Sequence, residues 1–319
     1  FMNKVLLLIL LATCVIRVQG QTEEPIENVV ISSKKKRTSV YTNSEGALVL
    51  NVSPRKVLKF KTAGWVHYKD FGAKGNGETD DIDAIAGSHA FANKHNLAVK
   101  AEDEATYYIG GQPRTVIIKT DTDFGKASFI IDDREVENYK ASVFRVSSSF
   151  QPFELEGITT LSRNQKQINV SLPESCLVTV SNSHVKHYIR YGLNQNNGSD
   201  QTDIFVVDKN GKVDMDGPII WDFKQITDIT ALRIDKKILT IRGGKFTTIA
   251  NKAASKYTYY ARNIAIRRSN VVMEGMQHHV IGEGDHGAPY GGFINISNCA
   301  YVTVKNTVLT GHKTYRTIG

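Results

Sequence analysis

The sequence predicts an all-β chain built as a parallel β-helix, with a helical cap near its amino-terminal end and an antiparallel β insertion between its coils. Three observations lead there. Between Tyr68 and Ala90 an extended segment, a glycine-studded turn and a capped amphipathic helix follow one another. Between residues 151 and 225 the pattern changes to strong apolar alternation with a hairpin turn. From residue 226 onward a unit of two short alternating strands and a turn recurs.

The cap comes first. The approach ends at Phe71, and Gly72, Gly75 and Gly77 mark the turn. Thr79-Asp80-Asp81 then starts a helix, in which Ile82, Ile85, Ala86 and Ala90 fall at i, i+3, i+4 and i+8 on one apolar face. Asp80 and Asp81 are placed to accept the unpaired N–H groups of the first turn and to sit favourably against the helix dipole. That role accounts for both carboxylates, so the pair reads as structural rather than as a catalytic dyad. Before it, Gln21 to Pro54 is polar and holds the basic run Lys34-Lys35-Lys36-Arg37, and residues 21–56 are expected as a solvated linker. Val57 to Val66 carries β character, and residues 57–150 are read as the cap and first coils. Short strands are expected at Thr115–Ile118, Ala127–Ile131 and Ala141–Phe144, with Asp132-Asp133 as turn formers.

Residues 151–225 differ. Cys176-Leu177-Val178-Thr179-Val180 and Asp203-Ile204-Phe205-Val206-Val207 alternate, and Asp208-Lys209-Asn210-Gly211 offers an Asn-Gly hairpin turn. In residues 226–319, Ile234, Ile266 and Ile296 recur at spacings of 32 and 30. Leu239-x-Ile241, Val271-x-Met273 and Val302-x-Val304 follow them, with Ser269-Asn270 and Asn298-Cys299 at equivalent corners. Such a unit cannot bury its apolar row alone, but stacked units build a continuous core.

The string YKDFGAKGNGETDD, residues 68–81, resembles the amino-terminal cap motif of the pectate-lyase-like superfamily of right-handed parallel β-helices. That group includes rhamnogalacturonase-like and polygalacturonase-like enzymes and phage tailspikes. In the family a strand, a Pro-x-Gly turn and a Tyr-x-Ile strand follow. Here Leu97-Ala98-Val99 and Thr106-Tyr107-Tyr108-Ile109 fit, while Glu102-Asp103-Glu104-Ala105 replaces the Pro-Gly turn. The resemblance implies a right-handed coil and a polysaccharide ligand, and is nearly silent on the reaction.

Composition bounds the rest. The chain has 319 residues, 41% hydrophobic and 23% charged, ordinary for a globular protein. A formal charge of +8 favours an acidic partner. Nucleic acid is disfavoured, since no helix-turn-helix, zinc-finger or aromatic RNA-binding pattern occurs. Lys4, an apolar run from Val5 to Ile16 and Val18-Gln19-Gly20 read as a signal peptide over residues 1–20, too short to span a membrane. The competing reading is a lipobox-like Leu11-Ala12-Thr13-Cys14, with Cys14 lipidated. Either way export is expected, to the periplasm, the cell surface or the exterior. Cys176 and Cys299 have no metal-ligand spacing, and two buried thiols are favoured over a disulfide. Phe1 precedes Met2, and Gly319 follows a patterned stretch without a cap, so a carboxy-terminally truncated chain is expected.

In a β-helix, function lives on loops and outward side chains. The richest loop is Glu274 to Gly292, with Glu274, His278, His279, Glu283, Asp285, His286 and Tyr290. A second cluster is Gly311-His312-Lys313-Thr314-Tyr315-Arg316. Glycoside hydrolysis needs two carboxyl groups, for which Glu283 and Asp285, flanked by His286, are the candidates. Gly311-His312 resembles the Gly-His-Gly of polygalacturonases, with Lys313 in place of the second glycine. The accompanying Asn-Thr-Asp and Asp-Asp signatures are not found upstream in the expected context. Lyase chemistry needs charge neutralisation and a base, for which His312, Lys313, Tyr315 and Arg316 are suitable types. No cofactor is expected; calcium on Glu283 and Asp285 belongs to the lyase reading, and a metal on His278, His279 and His286 is a minor alternative. The expectation is an exported enzyme cleaving an acidic, pectin-like glycan, hydrolase ahead of lyase. The alternative is a non-catalytic glycan-binding β-helix, an adhesin or tailspike-like receptor binder.

Overall fold

The computed structural model describes residues 29–32, 39–42, 48–192, 195–252, 259–283 and 290–310. Strands β1 (Val29–Ser32), β2 (Ser39–Thr42) and β3 (Leu48–Asn51) precede helix α1 (Pro54–Ala63). Strand β4 (Trp65–His67) leads through a single 3₁₀ turn to β5 (Asn76–Asp80) and α2 (Ile82–His95). Then come β6 (Ala98–Lys100), β7 (Thr106–Ile109), β8 (Val116–Ile118), β9 (Thr122–Asp132) and β10 (Phe144–Ser147). An inserted unit holds β11 (Phe153–Glu154), β12 (Cys176–His187), β13 (Ser199–Val207) and β14 (Asp228–Arg233). The coils resume with β15 (Leu239–Ile249), β16 (Ile264–Arg267), β17 (Val271–Glu274), β18 (Gln277–Ile281), β19 (Ile294–Ile296), β20 (Val302–Lys305) and β21 (Val308–Leu309).

The coil strands form three parallel ladders. The first runs β4, β6, the start of β9, the start of β15, β17 and β20. The second runs β5, β7, the end of β9, the end of β15, β18 and β21. The third runs β8, β10, β16 and β19. The chain is a parallel β-helix. Because equivalent residues stack, the inward position of the second face carries Tyr107, Phe129, Phe246 and His278 in one register column. Tyr107 and Phe129 lie 5.1 Å apart, and Phe129 and Phe246 lie 4.7 Å apart at 14°. Phe124 and Phe144 meet this column edge-on, the geometry that aromatic quadrupoles favour.

Long strands β9 and β15 each serve two faces by bending at Gly125 and Gly243, whose φ values are 53° and 74°. A side chain at Gly243 would place its Cβ 2.4 Å from the Gly125 carbonyl oxygen of the coil above. The Gly243 bend therefore nests on the Gly125 bend only without a Cβ, and a Cβ at Gly125 would meet the Asp103 carboxylate at 2.3 Å. Outward on the first face, Lys100, Asp123, Arg242, Glu274 and Lys305 stand in one register row of alternating sign. Arg242 and Asp123 are 2.6 Å apart and Lys305 and Glu274 3.0 Å. Each carboxylate of the row thus lies between two cations.

The cap differs from expectation in three ways. Asp80 does cap, its Oδ1 accepting the Ile82 N–H at 3.1 Å. Asp81 instead reaches back across the glycine turn, accepting the N–H of Lys74 at 2.6 Å and of Gly75 at 2.9 Å. The positive φ values of Gly72 and Gly75 fold the chain over this carboxylate. Second, Pro54–Ala63 is helical where β character was expected. Proline at the first helical position and Gly64 in the left-handed region define its ends, and these local signals outweigh β propensity. Third, the stretch expected as linker supplies the sheet β1-β3-β2. Leu48, Leu50 and Val52 alternate into the core, and the sheet packs against α2. Ile82, Ile85 and Ala86 are buried as the helix periodicity predicted.

The repeat pairs Ile264 with Ile294, Ile266 with Ile296, Ile241 with Met273 and Met273 with Val304. Ile234 is not part of it. The partner of Ile266 in the preceding coil is Val146, because the insertion enters after β10 and its last strand, β14, holds Leu232. The corners shift too, since Asn270 and Tyr301, both at φ 57°, directly precede the paired Val271 and Val302. The insertion is an antiparallel sheet of order β11-β14-β12-β13 around its own core of Val178, Val180, Phe205, Val207 and Phe223. Its return to the coils is fixed by the buried Arg268, 3.2 Å from Asp235. Across the junction, Tyr301 Oη donates to Asp214 at 2.7 Å. Cys176 and Cys299 are both free thiols.

Two outcomes follow for stability. Gly243→Ala should cost about 3 kcal/mol or more, the scale of a strained special-φ position with a backbone clash. An unchanged urea midpoint would show that the bend can open. His89 is buried, shares a hydrogen bond of 2.9 Å with Tyr68 Oη, and is held neutral by burial, its pKa down to about 3. A depressed histidine stabilises the fold above its ordinary 6.5 and loses that contribution as pH falls towards about 3. His89→Gln should therefore flatten the decline of urea stability between those values; an identical decline would assign it to other groups.

Candidate functional site

The second face connects to the third three times in succession, after β9, after β15 and after β18. The starts of these turns are stacked by the ladder, with Asp132, Ile249 and Ile281 in register. The Asp133 N–H donates to the Ile249 carbonyl at 3.1 Å, and the Ala250 N–H to the Ile281 carbonyl at 2.8 Å. Arg134, Asn251 and Glu283 thus begin equivalent turns on adjacent coils. The turns end in Tyr139, Tyr260 and Tyr290, again stacked by backbone hydrogen bonds from Ala261 to Tyr139 and from Gly291 to Tyr260. Their rings form a row, 5.2 Å from Tyr139 to Tyr260 and 5.7 Å from Tyr260 to Tyr290. Tyr139 is 40% exposed. Asn251 donates to Tyr290 Oη from both its backbone N–H and its amide, each at 3.0 Å, and so ties the two ends of the corner together. Burial pushes the Tyr290 hydroxyl up to about 12.

Beside this row lies a cleft of about 330 Å³, lined by Tyr108, Gly111, Asp132, Arg134, Glu135 and Lys252. Arg134 grips Asp132 from Nε at 2.9 Å and from Nη2 at 2.5 Å, and Tyr108 Oη donates to the same carboxylate at 2.8 Å. The Arg134 hydrogen bonds hold the Asp132 carboxyl down to about 2. Gln112 spans from Gly111 to Asp80, its Nε2 3.2 Å from Oδ2, and brings the cap to the rim.

Beneath the corner lies a second pair. Asp133 is fully buried and Arg262 nearly so, with Nε 3.1 Å from Oδ1. Arg262 Nη2 also donates to the Gly110 carbonyl at 2.5 Å, which joins three coils at one guanidinium. Asp133 Oδ2 and Arg262 Nη1 have no hydrogen-bond partner among the described residues. Burial pushes the Asp133 carboxyl up to about 7, against the opposing pull of Arg262.

This arrangement determines what the cleft can do. Asp132 is locked and stays ionised, so it is a poor proton donor. Asp133 has a raised pKa but no access to a ligand. What the corner presents is a row of tyrosine rings, Tyr139 the most exposed of them, beside Arg134, Lys252 and Glu135. Sequence reading took Asp132-Asp133 as turn formers, which describes their place but not their partners. The tyrosine row escaped notice because the insertion separates Tyr139 from Tyr260. The available signal was a tyrosine shortly before each third-face strand.

Of the expected site residues, Glu283 starts the third turn, half-buried, with Oε1 shielded from solvent. At about 4.8 Å per coil it lies roughly 10 Å along the corner from Arg134. Asp285, His286, His312, Lys313, Tyr315 and Arg316 lie outside the described residues. His278 points into the core, its Nε2 2.9 Å from Thr248 Oγ1 and its ring 3.8 Å from that of Phe293. His279 faces outward to Thr247 Oγ1 at 3.2 Å. Neighbours on opposite sides of one strand do not converge on one metal ion.

No family model matches the chain. No curated protein matches it. Among solved structures, it is similar to the tailspike gp61 of Pseudomonas phage phi297, at 11% identity and a TM-score of 0.46, over 76% of this chain and 46% of that one. The tailspike gp49 of Pseudomonas phage LKA1 gives 11% and 0.43 over the same shares. PfbA, a surface adhesin of Streptococcus pneumoniae, gives 14% and 0.27, over 76% of this chain and 48% of that one. The chain thus spans under half the length of each. Its own strand registers establish its fold.

The two aspartates of the corner should titrate in opposite senses. A raised carboxyl favours the fold below its ordinary value of 3.8, and that advantage is lost as pH rises through about 7. The unfolding free energy of the native chain minus that of Asp133→Asn should therefore fall between those values and level off above. A constant difference would mean that Arg262 keeps Asp133 ionised throughout.

Proposed function

We propose that the chain is an exported glycan-binding β-helix of the pectate-lyase-like kind, with its polysaccharide lying along the turn corner across the coils. The observation that carries this reading is the row Tyr139, Tyr260 and Tyr290 beside the Arg134–Lys252 cleft. Tyrosines give large, rigid, amphipathic contact area, and their faces and hydroxyls suit sugar rings. Guanidinium, ammonium and carboxylate groups in the adjoining cleft supply directional hydrogen bonds. The row crosses three coils, so it suits an extended chain rather than a monosaccharide. The acidic character of the ligand rests on the formal charge of +8. At the corner itself Lys140 and Lys252 are offset by Glu135 and Glu137. Export rests on the signal-like residues 1–20. Among the described residues no helix is long and apolar enough to cross a membrane.

Cleavage is the second reading. The observation favouring it is that Glu283, expected as a catalytic acid, begins a turn of this same corner. Hydrolysis would pair it with Asp285, near His286. Elimination would draw instead on His312, Lys313, Tyr315 and Arg316. Binding is placed first because neither aspartate of the described cleft combines access with a proton to give.

A panel of neutral and acidic polysaccharides separates the readings. Tyr260→Ala should weaken binding of the best ligand by about tenfold, the effect of losing a central aromatic anchor. Unchanged affinity would place the ligand elsewhere. Release of reducing ends by the native chain, lost in Glu283→Gln, would establish the hydrolase. Ultraviolet absorbance of an unsaturated uronate would establish the lyase.

A further inference from the structure

Strands β12 and β13 outrun the sheet they belong to. β14 pairs with β12 only from Cys176 to Ser181. Past a break in register between Asn182 and Lys186, the β12 residues Lys186 and His187 pair with Asp200 and Ser199 of β13. The result is a two-stranded arm beyond the insertion's core. An arm of this kind buries little and has small stability of its own. Yet it carries bare apolar surface, with Val185 38%, Tyr188 79%, Ile189 44% and Tyr191 87% exposed. Tyr188 holds φ 57°, a costly conformation for a bulky side chain. His187 meets the ring of Trp221 edge-on at 4.4 Å, so aromatic surface continues from the tip to the sheet.

Basic side chains outnumber acidic ones on the arm, Asp200 being the one carboxylate among its described residues 183–192 and 195–200. Residues 183–192 contain His184, Lys186, His187 and Arg190 and no carboxylate. Lys186 is paired with Asp200 on the neighbouring strand. Arg190 is held by backbone hydrogen bonds to Asn196 at 3.1 and 3.4 Å, and no acidic partner for it is found among the described residues. We propose that this tip is a second glycan site, taking sugars that bear a carboxylate or sulfate. Tyr188 and Tyr191 would stack on the rings, and Arg190 would pair with the anionic group through its planar fork. A bilayer fits less well, since the described residues 183–192 hold no Phe, Leu or Trp. A second copy fits less well because two such tips would set basic side chains against each other. This site is separate from the turn corner and does not depend on it.

Heparin and polygalacturonate are the probes, measured by titration at low and high salt. Tyr188→Ser with Tyr191→Ser should lower affinity for an acidic polysaccharide by about tenfold or more. Arg190→Gln should reduce the salt dependence. The thermal midpoint should not move in either, since these side chains are exposed. Tyr260→Ala is the control for the corner; binding that survives it but fails in the arm variants supports this proposal even if the corner binds nothing. Full affinity in the arm variants would overturn it. So would arm-dependent binding to anionic phosphatidylglycerol vesicles without binding to either polysaccharide, or arm-dependent self-association in sedimentation.

Discussion

Stacking of like on like along the coil axis is the constraint from which the other features derive. Parallel strands about 4.8 Å apart place each inward side chain directly over its equivalent in the next coil. Phe129 over Phe246 at 4.7 Å is that rule in one pair. Aromatic rings fill such a column well because offset stacks and edge contacts are both favourable. The same geometry compels glycine at Gly243, where a Cβ would meet the Gly125 backbone, and at Gly125, where it would meet the Asp103 carboxylate. It also sorts charge outside, where Asp123 and Arg242 can face each other only because the register is fixed. Where the column meets a polar residue, the residue finds a partner within the stack, as His278 does with Thr248.

A column of this kind supports function only at its corners. The coil faces are committed to hydrogen-bonded ladders, and on the first face the outward carboxylates are paired with cations of the next coil. The turns between the second and third faces are free to vary in length, yet their ends remain stacked by the strands on either side. Three unrelated turns therefore deliver Tyr139, Tyr260 and Tyr290 to adjacent positions. Arg262 reaches from one turn to Asp133 at the start of another and to Gly110 on a third coil. Its buried guanidinium holds the corner at one spacing, and the charge it carries demands that Asp133 be there.

The insertion is a second solution to the same need. It has its own core, and it touches the coils through few contacts, Arg268 to Asp235 and Tyr301 to Asp214 among them. Its sheet does not have to continue any ladder. β12 and β13 can therefore extend past their neighbours and present side chains that a coil would bury.

Some of this was legible in the residues alone. Periodicity in Ile82, Ile85 and Ala86 identified the cap helix, because a helix face repeats within a few residues. Val271-x-Met273 over Val302-x-Val304 identified the solenoid, because consecutive coils repeat one inward pattern. Strong alternation around Cys176 and Asp203 marked the insertion. What sequence could not supply is adjacency across the interruption. Val146 and Ile266 are ladder partners, and Tyr139 and Tyr260 neighbours, although the whole insertion lies between them. Nor could it assign partners to acids in a turn. Asp81 caps no helix, Asp132 is locked by Arg134, and Asp133 is buried against Arg262, because each bond joins residues that only the coiling of the chain brings together. Local pattern determined the cap helix α2, the coil strands and the strands of the insertion, while α1 and the sheet β1-β3-β2 escaped it; the superposition of distant coils decided which side chains share a surface.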